Sequence, residues 1–119
     1  MRKFTVEYFE KEDGSYPAED FILSLDVKMK AKIFRSLELL EMKGNNLREP
    51  YSKHLEDGIF ELRVKQGSDS SRILYFFVVN NRVILTNGFI KKTQKTPRSE
   101  IEKAKQYRED YKKRCDQHG

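Results

Sequence analysis

Residues 53–98, KHLEDGIFELRVKQGSDSSRILYFFVVNNRVILTNGFIKKTQKTPR, constrain the fold more than any other stretch of the chain. Residues 59–65, 72–79 and 82–89 are rich in Ile, Val, Phe, Tyr and Leu and are divided by polar turn residues, the pattern of consecutive antiparallel strands. In the first of them a period of two puts Phe60, Leu62 and Val64 on one face and Ile59, Glu61, Arg63 and Lys65 on the other. The apolar face covers a core, so Arg63 is expected to point away from it, toward solvent or a ligand. Residues 66–71 hold Gly67 and three serines and read as a mobile loop or bulged turn. Arg72 then sits at the rim of a strand that is apolar nearly throughout, as in a central strand buried on both faces. Asn80 and Asn81 tolerate positive φ and predict a two-residue hairpin turn. That turn returns the third strand beside Arg72, where the chain delivers Gly88, Phe89, Ile90, Lys91 and Lys92. In this register Arg63, Arg72 and the lysine pair converge.

A length of 119 residues suits one domain, residues 1–119. Hydrophobic residues make up 37% and charged residues 36%, which predicts a modest core under a heavily ionised surface. The net charge of +5 is unevenly placed. Residues 1–57 carry 10 basic and 12 acidic side chains, net −2, and residues 58–119 carry 14 and 7, net +7. Such a bias suits phosphate-rich partners; solubility is the plainer reading, and charge alone does not separate the two. The single cysteine, Cys115, has no intramolecular partner and reads as a bystander. The opening MRKFTVEYFEKEDG has no apolar secretory core, and no run approaches the ~18 apolar residues of a membrane span, so a cytoplasmic location without membrane contact is expected.

Residues 3–9 alternate loosely and predict a first strand at a sheet edge. Pro17 suits the first position of a short amphipathic helix carrying Ala18, Phe21, Ile22 and Leu25. Asp26 is a good N-cap for a second helix that runs to about Lys43 and stops at Gly44. Its expected inner stripe is Val27, Ile33, Phe34, Leu37 and Leu40. Residues 47–52 form a connector broken by Pro50. Thr96 is expected to cap, and Pro97 to open, a last helix to about Arg114. The stripe of that helix, Ile101, Ala104, Tyr107 and Tyr111, is thin enough to predict shallow docking.

Several chemistries are excluded. Two histidines and one cysteine, widely separated, make no zinc pattern. GFIKKT lacks the spacing and following helix of a phosphate loop, and no GxGxxG, GxSxG or close carboxylate pair occurs. No metal or cofactor is expected. A cationic cluster without a strong base suits cleavage of RNA by its own 2′-hydroxyl, where the substrate supplies the nucleophile. The protein need only align the attack and stabilise charge on the phosphoryl oxygens. Guanidinium groups stay protonated and grip two phosphate oxygens, and one such donor is worth on the order of 3 kcal/mol. The same cluster also suits binding of RNA or DNA without cleavage.

The pieces GIFELR, SRILYFF and GFIKKTQKTP, in the order strand, helix pair, meander and terminal helix, resemble the RelE/ParE toxins of toxin–antitoxin systems, in particular their HigB-like, phage-derived branch. The resemblance implies an α+β fold: an antiparallel sheet of four or five strands, two N-terminal helices on one face, a C-terminal helix and a concave basic surface. It further implies a ribosome-dependent mRNA endoribonuclease that leaves a 2′,3′-cyclic phosphate or 3′-phosphate and a 5′-hydroxyl. Its partners would be a helix-turn-helix, HigA-like antitoxin, the ribosome with its mRNA, and operator DNA bound through the toxin–antitoxin complex. ParE-like relatives share the fold and instead poison DNA gyrase without catalysis; a catalytically degenerate member would only bind its antitoxin or operator.

The catalytic candidates are accordingly Arg63, Arg72, Lys91, Lys92 and His54, and the RNA-binding candidates are Lys53, Lys65, Phe89, Lys95 and Arg98. Relatives with a histidine or tyrosine at the end of the last strand move protons there. This chain has Gly88, Phe89 and Ile90, which leaves Lys92, His54 and Tyr75 as candidates. For Arg63 and Arg72 the competing reading is an ion pair with Glu61 or Asp69. Phe89 reads either as core or as a surface on which a base stacks.

Overall fold

The computed structural model describes residues 3–118. In chain order the elements are β1 (Thr5–Tyr8), α1 (Pro17–Leu23), α2 (Val27–Lys43), β2 (Ser52–Glu56), β3 (Ile59–Gln66), β4 (Asp69–Val78), β5 (Arg82–Ile90) and α3 (Arg98–His118). The five strands form one sheet in the order β1-β5-β4-β3-β2, which leaves β1 at an edge as expected. The sheet is mixed rather than antiparallel throughout, because β1 runs parallel to β5. A parallel neighbour needs a crossover, and everything between β1 and β5 supplies it, including the helix pair.

Turn chemistry sets the register of the meander. Asn80 and Asn81 both adopt positive φ, 65° and 56°, and close the β4–β5 hairpin. The β2–β3 hairpin closes on Asp57 and Gly58, again both at positive φ. Asp-Gly is the local sign of β2, a strand not expected, which begins where the connector of residues 47–52 ends. Residues 66–71, expected as a mobile loop or bulged turn, instead hold a two-residue turn: Gln66 pairs with Asp69 across Gly67, whose φ is 63°. Two of the three serines lie within β4.

Each face of the sheet carries its own core. Under α1 and α2, Ile22, Ile33, Leu37 and Leu40 pack on Leu62, Val64, Ile73, Tyr75, Val83 and Leu85. The buried stripe of α2 is Met29, Ile33, Leu37 and Leu40, spaced four, four and three. Val27 and Phe34 fall outside that phase and are 77% and 42% exposed, so they do not belong to the inner stripe. Asp26 caps the helix by accepting the Met29 N–H at 2.8 Å. At its other end Gly44 is required, since a Cβ there would lie 2.1 Å from the Phe4 ring.

The second core, Phe9, Ile59, Leu74, Phe76 and Ile84, lies under α3 with Ala104, so both faces of β3 are buried. Helix α3 docks more firmly than its thin stripe suggests. Tyr107 stacks on Phe9 at 4.8 Å, Tyr111 meets Phe76 edge-on at 5.7 Å, and ion pairs do the rest. Arg98 and Lys105 both reach Glu56, and Arg108 reaches Asp57, so the β2–β3 hairpin is tied to the helix. Arg98 is the first residue of α3, and the Thr96 hydroxyl, expected to cap that helix, donates to Glu61. Among the described residues no helix is long and apolar enough to cross a membrane.

Candidate functional site

Strand alternation aims Glu61 and Arg63 of β3, Ser70 and Arg72 of β4, and Phe89 of β5 at the α3 side of the sheet. Arg63 lies directly across from Arg72, and Arg72 from Phe89. One residue past β5, Lys91 extends the pairing by donating its N–H to the Ser70 carbonyl at 2.8 Å. Three strands thus bring Arg63, Arg72 and Lys91 to one end of the sheet, and β2 adds Lys53 across from Glu61.

Glu61 organises the cluster. Its carboxylate is fully buried, accepts from Arg63 Nε at 3.1 Å and from the Thr96 hydroxyl, and lies 3.6 Å from Arg72 Nε. The ion-pair reading of the two arginines is therefore correct in part, but the pair is buried and anchors the site. Arg72 is not at the rim: it is only 5% exposed, its Nη1 donates to Ser70 Oγ at 2.8 Å, and its Nε has no hydrogen-bond partner. Burial lowers the Arg72 pKa, against the pull of Glu61, and neighbouring Arg63 adds to the lowering. The Lys91 ammonium is likewise held below the ordinary lysine range, first by burial and then by Arg72, with Arg63 and Lys53 adding to it and Glu61 opposing. Cations crowded around one carboxylate retain a surplus of positive field.

Two depressions meet at Arg63. The smaller, about 220 Å³, is lined by Lys53, Arg63, Lys91, Lys95 and Thr96. The larger, about 530 Å³, lies toward α2 and is lined by Lys32, Arg35, Tyr51, Lys65, Arg63 and Arg72. Lys53 and Lys95 are exposed beside the smaller one, and Lys65 beside the larger. Lys92 is exposed in the loop after β5 and does not line the smaller cavity.

The remaining candidates lie elsewhere or are engaged. His54 touches the rim of the smaller cavity, but its register partner is Phe60, on the other face, and its ring meets Phe60 edge-on at 5.0 Å. Its Nε2 accepts the Gly58 N–H at 3.1 Å, so that nitrogen is engaged within the β2–β3 hairpin. Tyr75 is buried in the α1/α2 core against Ser52, and burial pushes its pKa up to about 12, so it is no proton carrier for this site. Phe89 is half-buried against the core under α3. Arg98 is held by both oxygens of Glu56 at 2.5 Å and by Glu102 at 2.6 Å, so it is not a free cation for RNA. Among the described residues no group of three or more His, Cys, Asp or Glu side chains is placed to hold a metal ion.

The family model of phage-derived Gp49-like proteins (DUF891) matches residues 20–109, which include every residue of this cluster. The chain belongs to the Gp49-like family. No curated protein matches it. In this Gp49-like protein sequence reasoning offered Glu61 only as a competing ion-pair partner of the arginines and missed Thr96 as a member of the site. Glu61 was legible: it lies two residues before Arg63 on a strand, hence on the same face. Thr96 was not, since Thr-Pro before a helix reads equally well as a cap.

Proposed function

We propose that this Gp49-like protein is the toxin of a type II toxin–antitoxin pair and cleaves mRNA in the manner of RelE-like and HigB-like endoribonucleases. The observation that carries the reading is the convergence of Arg63, Arg72, Lys91 and Lys53 around a single buried carboxylate. That arrangement fits a phosphodiester approached by its own 2′-oxygen. In the proposed reaction the 2′-oxygen attacks phosphorus and the bond from phosphorus to the 5′-oxygen breaks. The products are a 2′,3′-cyclic phosphate and a 5′-hydroxyl. Arg63 and Arg72 stabilise the charge on the non-bridging oxygens. Lys91, its pKa lowered, donates the proton that the departing 5′-oxygen needs, and solvent takes the proton of the 2′-hydroxyl. The larger basic surface holds ribosomal RNA. A helix-turn-helix antitoxin silences the protein, and the resulting complex binds its own operator.

Inducible expression in bacteria with mapping of new mRNA 5′ ends tests this. Wild type is expected to arrest growth with cuts inside translated codons, and Arg72→Ala to abolish or greatly reduce both. Circular dichroism of Arg72→Ala, with Arg63→Ala as a more exposed second variant, separates lost catalysis from lost fold. Arrest with intact messages and broken chromosomes would replace this reading with a gyrase poison.

A further inference from the structure

The larger groove toward α2 contains a feature that phosphate cleavage alone does not require. Tyr51, which opens onto it, is 51% exposed yet fixed in place by its backbone: its N–H donates to the Arg48 carbonyl at 3.0 Å and its carbonyl accepts the Arg63 N–H at 2.8 Å. An aromatic ring is thus presented to solvent one hydrogen bond away from the cation cluster. Lys32 and Arg35 of α2 line the same groove. Lys32 Nζ donates to the Lys65 carbonyl at 2.6 Å, and among the described residues neither Lys32 nor Arg35 pairs with a carboxylate. A volume of about 530 Å³ is within the usual range for small-molecule sites and accommodates one nucleotide.

We infer that this groove is a nucleotide subsite for single-stranded RNA, in which Tyr51 stacks on the base beside the scissile phosphate and Lys32 and Arg35 hold the next backbone phosphate. The inference rests on the reading that the cluster at Arg63 takes a ribose-phosphate strand. Because Arg63 lines both depressions, a strand with one phosphate at Arg63, Arg72 and Lys91 reaches the groove with its neighbouring nucleotide. The ligand is single-stranded because only an unpaired base offers its face to an aromatic side chain. Stacking tolerates every base, so the subsite adds affinity and register with little sequence preference.

The test is fluorescence anisotropy of the purified full chain with a labelled hepta-uridylate whose 2′-positions are O-methylated, which removes the nucleophile and separates binding from cleavage. Tyr51→Ala is expected to weaken binding about tenfold and Tyr51→Phe to leave it unchanged, as stacking without the hydroxyl requires. Arg35→Ala is expected to reduce the slope of log K against log salt by about 0.7, one phosphate contact on a single strand. Duplex RNA of equal length is expected to be indifferent to Tyr51→Ala. No measurable binding by wild type, wild-type affinity in Tyr51→Ala with an unchanged salt slope in Arg35→Ala, or an equal effect of Tyr51→Ala on the duplex would each overturn the inference. The two readings fail separately. Arg72-dependent cuts in messages with affinity indifferent to Tyr51 and Arg35 would remove the subsite alone. Tyr51-dependent binding without any cleavage would remove the nuclease alone.

Discussion

Two cation-rich regions of this molecule use the same residue types to opposite ends. Along α3, Arg98 and Lys105 share Glu56, Arg108 holds Asp57, and Lys103 holds Glu100. Arg114 donates to the Glu10 carbonyl and covers the Phe9 ring. These charges are used up within the fold. At the sheet end, Lys53, Arg63, Arg72 and Lys91 surround Glu61 alone, with Glu49 at the edge 3.5 Å from Arg63. A cation there still has capacity for an anion from outside. Counting charge along the chain hides the distinction, because two of the carboxylates that neutralise α3, Glu56 and Asp57, sit in the acidic first half.

Under the proposed cleavage of mRNA, the largest effect that tests the contrast is catalytic. Arg63→Ala and Arg72→Ala are each expected to lower cleavage about 10²- to 10³-fold, the usual loss of a donor to a transition-state oxyanion. Arg98→Ala and Arg108→Ala are expected to leave it within a few-fold. Single-turnover assays on ribosome-bound message compare the four directly; equal losses in both regions would erase the distinction.

Next in size is stability at the buried carboxylate. Glu61→Gln leaves Arg72, itself almost fully buried, beside a neutral amide, and unpairing a buried charge typically costs about 3 kcal/mol. Urea denaturation reads this as a lowered midpoint at unchanged slope. Lys91→Met is expected to act in the opposite direction, raising the melting temperature while abolishing cleavage. The lowered Lys91 pKa means that the fold disfavours its ammonium, a cost present at neutral pH that fades as pH rises through the folded pKa toward the ordinary value of 10.5. A Lys91→Met variant less stable than wild type at neutral pH would contradict the crowded-cation picture.

The legibility of the fold followed the same division. Alternation and turn residues located β3, β4 and β5, and the N-cap Asp26 located α2, because these signals are local. The direction of β1 was not legible, since parallel pairing with β5 is decided by a crossover some 70 residues long and leaves no mark on TVEY. The site was half legible. Period two aligns Arg63 with Glu61, and the Asn-Asn hairpin returns Lys91 to Arg72, whereas Arg98 looked free because its partner Glu56 lies 42 residues earlier. Tyr51 and Arg35 come together only through packing of α2 on the sheet, which no short-range pattern records.

A pH-dependent effect follows at the α3 side. Hydrogen bonds from Arg98 and then Lys105 hold the Glu56 carboxyl down to about 2 from an ordinary 4.5. A carboxylate lowered in the folded state contributes stability that is fully present above about pH 4.5 and is lost as pH falls toward 2. Glu56→Gln is expected to remove that part of the acid dependence and to loosen α3 first, read by hydrogen exchange in residues 98–108. The sheet end, anchored by Glu61, keeps its protection longer in the variant at neutral pH.

The smallest expected effect separates the two regions most cleanly, because it asks what one tie on the α3 side is worth. Arg108 meets Asp57 through Nη2 at 2.9 Å and through the Asp57 carbonyl, and Asp57 is mostly exposed. Arg108 is largely covered, but the Asp57 carboxylate opens to solvent, which screens the pair, so a double-mutant cycle with Arg108→Ala and Asp57→Asn is expected to give a coupling of about 0.5 kcal/mol. Asp57 also holds φ at 51° in the hairpin turn, and Asn tolerates that conformation, so the cycle reports the ion pair rather than a strained backbone. A coupling of several kcal/mol would mean that α3 and the β2–β3 hairpin form a desolvated unit like the one at Glu61. The two regions would then differ only in which carboxylate lies at their centre.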